Sequence, residues 1–182
     1  MTDPSSRDDG DLDPELVGLL SLALEPSAPP TDLRSRLLAR IGGPDRFLPF
    51  LDRLVTLFDL PEADTRREFD AILDPEAEWE EMVPGCTFRD FDGGPALGEA
   101  HAGLIRLQPG TTFPNHRHVG EERVLMLQGR VVDETAREYR AGDTVVMDDG
   151  SAHELRAIGD QEVIYAAVVV ALEFMLDDTQ DD

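Results

Sequence analysis

Three of the four histidines in this chain, His116, His118 and His153, occur late in the sequence, and Glu122 stands among them. Residues 110–129 read Gly-Thr-Thr-Phe-Pro-Asn-His-Arg-His-Val-Gly-Glu-Glu-Arg-Val-Leu-Met-Leu-Gln-Gly. On a β-strand, side chains two residues apart share a face. His116 and His118 therefore project together, and Arg117 points the other way. Val119-Gly120 can reverse the chain and return Glu122 (or its neighbour Glu121) on the adjoining strand, opposite the histidines. Two imidazoles and a carboxylate on one face form a metal-binding constellation. The next histidine, His153, follows a strand of alternating pattern bracketed by Gly142 and Gly150, and is the candidate fourth ligand. Three histidines and one carboxylate suit a single divalent ion. Zinc is favoured, with Fe, Mn and Ni as alternatives.

These residues need a rigid β scaffold. From Cys86 onward, short runs of Val, Ile, Leu, Phe and Tyr alternate with Gly, Pro and Asp. The spacing predicts strands at 86–91, 99–107, 111–118, 122–128, 129–133, 137–140, 143–148, 152–157 and 161–174. Many short, closely spaced strands indicate a sandwich or barrel. The preceding region reads as helical. Leu16, Val17, Leu20 and Leu24 recur at helical spacing after Asp13-Pro14. Thr31 can cap a second helix carrying Leu33, Leu37, Leu38 and Ile41 and closed by Gly42-Gly43. A third helix is expected from Asp45 to Leu60, with a stripe of Phe47, Leu48, Leu51, Leu54, Val55 and Phe58. That stripe reads as core or dimer interface. Thr65-Arg-Arg-Glu68 reads as the capping box of a fourth helix with Phe69, Ile72 and Leu73 inward. The expected organisation is a disordered acidic leader (1–12), a helical region (13–80), a β-barrel (81–175) and an acidic tail (176–182). No internal repeat is visible.

Composition narrows the function. The chain has 182 residues and a formal charge of −23. Such a surface repels phosphate backbones and anionic lipid, so neither nucleic acid nor membrane is an expected partner. The apolar run Ala166–Leu172 is too short to span a bilayer. The first residues have neither the basic nor the apolar region of a secretory signal, so a cytoplasmic location is expected. All sixteen basic residues are arginine, which excludes a lysine Schiff base. The single cysteine, Cys86, cannot form an internal disulfide or a Cys-pair zinc site, and is expected to be a structural thiol. His101 fits no ligand position. Arg106 and Tyr165 lie on apolar strands and face either a cavity or the surface.

The two histidine segments resemble the two motifs of the cupin superfamily. Gly110, His116, His118, Glu122 and Gly129 meet every fixed position of the first, and its spacing selects Glu122 over Glu121. Gly142, Gly150 and His153 meet the second, which departs at Asp148 (usually proline) and Ala157 (usually asparagine). The resemblance implies a mainly β fold: an RmlC-like double-stranded β-helix, or jelly-roll barrel, with the metal inside and here an N-terminal α-helical appendage. Trp79, Pro84-Gly85, residues 104–110, 113–122 and 127–129 look most like the cupin domain of ChrR-type anti-sigma factors. Residues 22–39 look like the linker after their sigma-binding domain. Those proteins hold zinc there through a His-x-x-x-Cys-x-x-Cys element. No histidine precedes His101 and no cysteine precedes Cys86, so the resemblance does not carry sigma-factor binding over to this chain. It implies a regulatory or sensory cupin, by analogy a homodimer, that responds to an oxidant or small molecule held in the barrel. The same ligands with iron suit a dioxygenase acting on a small organic substrate. A sugar-binding or epimerase cupin ranks last, because no base for it can be named. No catalytic residue is identified by sequence alone.

Overall fold

In the computed structural model, residues 28–175, with Asp13 and Gly18, are described. The expected leader, most of the first expected helix and the acidic tail lie outside the described residues. The chain divides into two units after Ala39. Helix α1 (Leu33–Gly42) forms where the second helix was expected. The rest of this section concerns the unit from Arg40.

Eleven strands build two antiparallel sheets. They are β1 (Glu80–Val83), β2 (Cys86–Phe91), β3 (His101–Leu107), β4 (Thr112–Val119), β5 (Glu122–Gln128), β6 (Arg130–Asp133), β7 (Glu138–Arg140), β8 (Thr144–Met147), β9 (Ala152–Ile158), β10 (Val163–Val169) and β11 (Ala171–Phe174). The first sheet runs β1-β2-β3-β10-β5-β8 and the second β11-β4-β9-β6-β7. The apolar run expected as one strand over 161–174 is therefore two, because the chain changes sheets at Val170. β1 was not expected. Its Glu-Glu-Met-Val text is half charged, and it pairs only with β2 at the sheet edge.

Side-chain parity explains why β5 and β10 read as nearly unbroken apolar runs. Val124, Met126, Val163, Tyr165 and Ala167 point into the barrel. The alternating set Leu125, Leu127, Ile164, Ala166 and Val168 points outward, yet is also buried. Helices cover that outer face. A 3-10 segment (Pro44–Phe50), α2 (Leu51–Phe58) and α3 (Glu62–Leu73) bring Phe47, Leu51, Leu54, Phe58, Phe69 and Ile72 into the same core cluster. The stripe at 47–58 is thus core. The single helix expected over 45–60 is split: Pro49 offers no N–H and disfavours α geometry in the residue before it. The helix ends where Asp59 turns left-handed at φ 55°. The fourth helix starts earlier than expected. Pro61 occupies its N-cap position, and Glu62 and Asp64 complement its first turn. Thr65 is therefore inside the helix, where its hydroxyl donates to the Pro61 carbonyl at 3.1 Å.

Gly129 carries the chain from β5 in the first sheet to β6 in the second. Its φ is +73°, and a Cβ there would lie 2.8 Å from the Glu162 carbonyl oxygen and 2.9 Å from Val163 Cα. Both neighbours are backbone and cannot swing away. Gly129→Ala is expected to destabilise the fold by about 2 kcal/mol or more, from left-handed strain plus the clash. Urea unfolding measures this directly.

Candidate metal centre

His116 and His118 lie on β4 and His153 lies opposite His116 on β9, all in the second sheet. Glu122 begins β5 in the first sheet. The expectation that Glu122 returns on the strand beside the histidines is corrected here. β4 pairs with β9 and β11, whereas β5 pairs with β8 and β10. The Gly120 turn crosses the barrel mouth, and the carboxylate faces the histidines from the opposite wall. A barrel closed on itself achieves what an in-sheet hairpin could not, since in-sheet partners stand beside one another and not face to face.

A bulge aims the histidines. Phe113 pairs with Leu155, but His116 pairs with His153, so Pro114-Asn115 adds one residue to β4. That extra residue lets Phe113 and His116, an odd number apart, both face inward. All four side chains are buried, and one ligand atom from each lies within 4.8 Å of the others.

The hydrogen bonds set the ring tautomers. His116 Nδ1 donates to the Pro114 carbonyl at 2.8 Å. His118 Nδ1 lies 3.0 Å from Ser151 Oγ, which itself donates to the Asp148 carbonyl at 2.6 Å. Ser151 therefore accepts from His118. Asp148 keeps this turn through its backbone carbonyl although it replaces the usual proline. Each ring then presents a bare Nε2 to the interior. His118 Nε2 faces Glu122 Oε2 at 3.1 Å, yet it has no proton to share and stands as a buried atom without a hydrogen bond. His116 Nε2 lies 3.1 Å from His153 Nε2. Lone pairs converging in a buried site are unfavourable unless a proton or cation lies among them. The donor set thus fits a divalent metal, and these four residues could hold one.

The protonation states agree with that fit. Burial lowers the His116 pKa, and burial followed by the nearby His116 lowers that of His153 to about 4. Neutral imidazole, the form that binds metal, is favoured. For the metal-free protein the sign follows from linkage. The folded pKa of His153 lies below its ordinary 6.5, so the unfolded chain binds protons first as pH falls. This contribution to stability is present above about 6.5 and is lost as pH falls toward 4. Urea unfolding of metal-free protein across that range is expected to show the loss, and His153→Gln to flatten it.

Other sequence candidates divide. Tyr165 faces the interior and lines the cavity beside the cluster; burial, then Glu122 and Cys86, keep its hydroxyl protonated. Arg106 faces outward instead. It lies 4.0 Å over the Trp79 ring and donates to the Ile72 carbonyl at the end of α3. Cys86 is buried in the barrel core, and burial pushes its thiol up to about 11, a structural setting. His101 is exposed at the end of the cavity away from the barrel core. Pro114 and Ser151, which set the tautomers, went unnoticed in the sequence. The only signal for Ser151 was its place two residues before His153.

Two antiparallel sheets closing around three histidines and a glutamate make this protein a cupin. Residues 70–172 match the family model described as the ChrR cupin-like domain, and the chain belongs to that family. No curated protein matches the sequence. Among solved structures, that of Rhodobacter sphaeroides SigE in complex with the anti-sigma ChrR is similar at 26% identity. The match covers 85% of this chain and 75% of that one, with a TM-score of 0.50. An RmlC-like cupin protein from Ralstonia eutropha JMP134 matches at 22% identity, over 58% and 71% of the two chains, with a TM-score of 0.48. KdgF from Halomonas sp. matches at 18% identity, over 53% and 88%, with a TM-score of 0.45.

Proposed function

We propose that this protein is a regulatory metal cupin, in which His116, His118, Glu122 and His153 hold one divalent ion, zinc by preference. The ion would organise the adjoining pocket, through which the protein responds to an oxidant or small molecule. The observation that carries the reading is the convergence of bare Nε2 atoms and a carboxylate inside a buried barrel. The proposal takes the protein as a cytoplasmic homodimer. Sigma-factor binding is not part of it.

A second reading has its own support. His116, Glu122 and His153 line an apolar cavity, which gives a small substrate room beside the ion. With iron this would favour a dioxygenase. Metal analysis by mass spectrometry, on protein purified without a metal-affinity step, separates the two. Near-stoichiometric zinc supports the regulatory reading. Near-stoichiometric iron moves the dioxygenase to first place. No metal, and no tight uptake of added metal, overturns both.

A further inference from the structure

The cavity beside the cluster has a volume of about 150 Å³. The strand register gives its depth. Val169 pairs with His101 at the open end, where His101 and Asp90 are exposed, and Tyr165 pairs with Ile105 deeper inside. Between these levels the walls are apolar: Phe88, Ile105, Phe113, Leu155, Ala167 and Leu172. Among the described residues no arginine lines the cavity, and the acidic groups that do are Asp90 at the opening and Glu122 in the cluster.

Tyr165 is 3% exposed, and among the described residues its hydroxyl makes no hydrogen bond. A buried tyrosine normally finds a partner for its O–H. Here the side chain forms part of the cavity wall, so a partner can come from a guest. The size matches a cavity that accommodates benzene, which limits a guest to roughly six to eight non-hydrogen atoms.

We propose that the cavity binds a small organic molecule with a compact apolar body and a hydroxyl or carbonyl oxygen, which bonds to the Tyr165 hydroxyl. This inference rests on the reading of the barrel as a small-molecule pocket and gives that pocket a chemical class. Tyr165 is a specificity residue in this arrangement. The apolar body contributes affinity by burial, and the hydroxyl selects an oxygen-bearing guest over a hydrocarbon of the same shape.

The test uses the full chain loaded with zinc, its metal content measured on the same sample, and two probes titrated by NMR: benzyl alcohol and toluene. Tyr165→Phe is expected to weaken benzyl alcohol by about three- to tenfold, the loss of one hydrogen bond, and to leave toluene unchanged. A purely structural role for Tyr165 would move both probes together. An unchanged alcohol affinity in Tyr165→Phe overturns the proposal. Failure of both alcohol and toluene to bind at millimolar concentration also overturns it. Stoichiometric metal with no probe binding would defeat this inference alone, whereas failure to take up metal would defeat the metal-centre reading whatever the probes do.

Discussion

Chelation is expected to lower the unfolding free energy of the metal-loaded protein by about 3–4 kcal/mol, if the free metal stood roughly 100- to 1,000-fold above its dissociation constant beforehand. His116→Ala/His153→Ala is expected to be insensitive to the same treatment and to carry almost no metal. The reason lies in the pairing of atoms across the barrel. His116 and His118 spend their Nδ1 protons on Pro114 and Ser151, so their Nε2 atoms face the interior bare. Both His116 and His153 have lowered pKa values, so little proton displacement opposes binding near neutral pH. The metal would bind only the folded barrel, since Glu122 reaches the histidines only when the two sheets close. Removing two of four ligands leaves a pair too few for tight binding. Thermal or urea unfolding with and without chelator, alongside metal analysis, measures the effect. A wild type that binds metal yet gains no stability from it would mean that the site forms equally well in the unfolded chain.

Phe58→Ala is expected to cost about 3–5 kcal/mol, comparable with the whole effect of the metal. Phe58 is fully buried on α2. It meets the Phe91 ring edge-on, with centroids 4.8 Å apart and planes at 90°. The cluster around it joins Leu54 and Phe69 of the helices to Leu104, Leu125 and Ile164 of the first sheet. Its backbone carbonyl also accepts from the Gly94 N–H at 2.8 Å. Truncation leaves a cavity between helix and sheet that neither can close without breaking other contacts. Far-ultraviolet and near-ultraviolet circular dichroism are expected to report one shared, lowered urea midpoint. A loss of helical signal at a lower midpoint than the barrel would show that α2 and α3 are only an appendage.

Much of this architecture was legible one strand at a time. β2 and β5 have the expected bounds, Cys86–Phe91 and Glu122–Gln128. Their apolar composition and the flanking glycines leave little freedom. The helices were visible from their stripes, though Pro49 and Pro61 moved their ends, because proline acts on its neighbours' backbone and not through hydrophobic pattern. β10 was harder. A strand buried on both faces loses its alternation, so it could not be divided from β11 or assigned to a sheet.

The amino-acid sequence by itself determined which four side chains can serve as ligands, and that His116 and His118 share a face, because strand pleating is a local property with a period of two. It could not determine that Glu122 approaches from the opposite wall. Nor could it determine that a bulge at Pro114-Asn115 aligns Phe113 with His116, that Ser151 sets the His118 tautomer, or that Tyr165 turns inward while Arg106 turns to the helices. Each of these depends on which sheet a strand joins and in what register. Closure of the barrel and burial of its outer face beneath the helices decide both, through contacts between residues far apart in the chain.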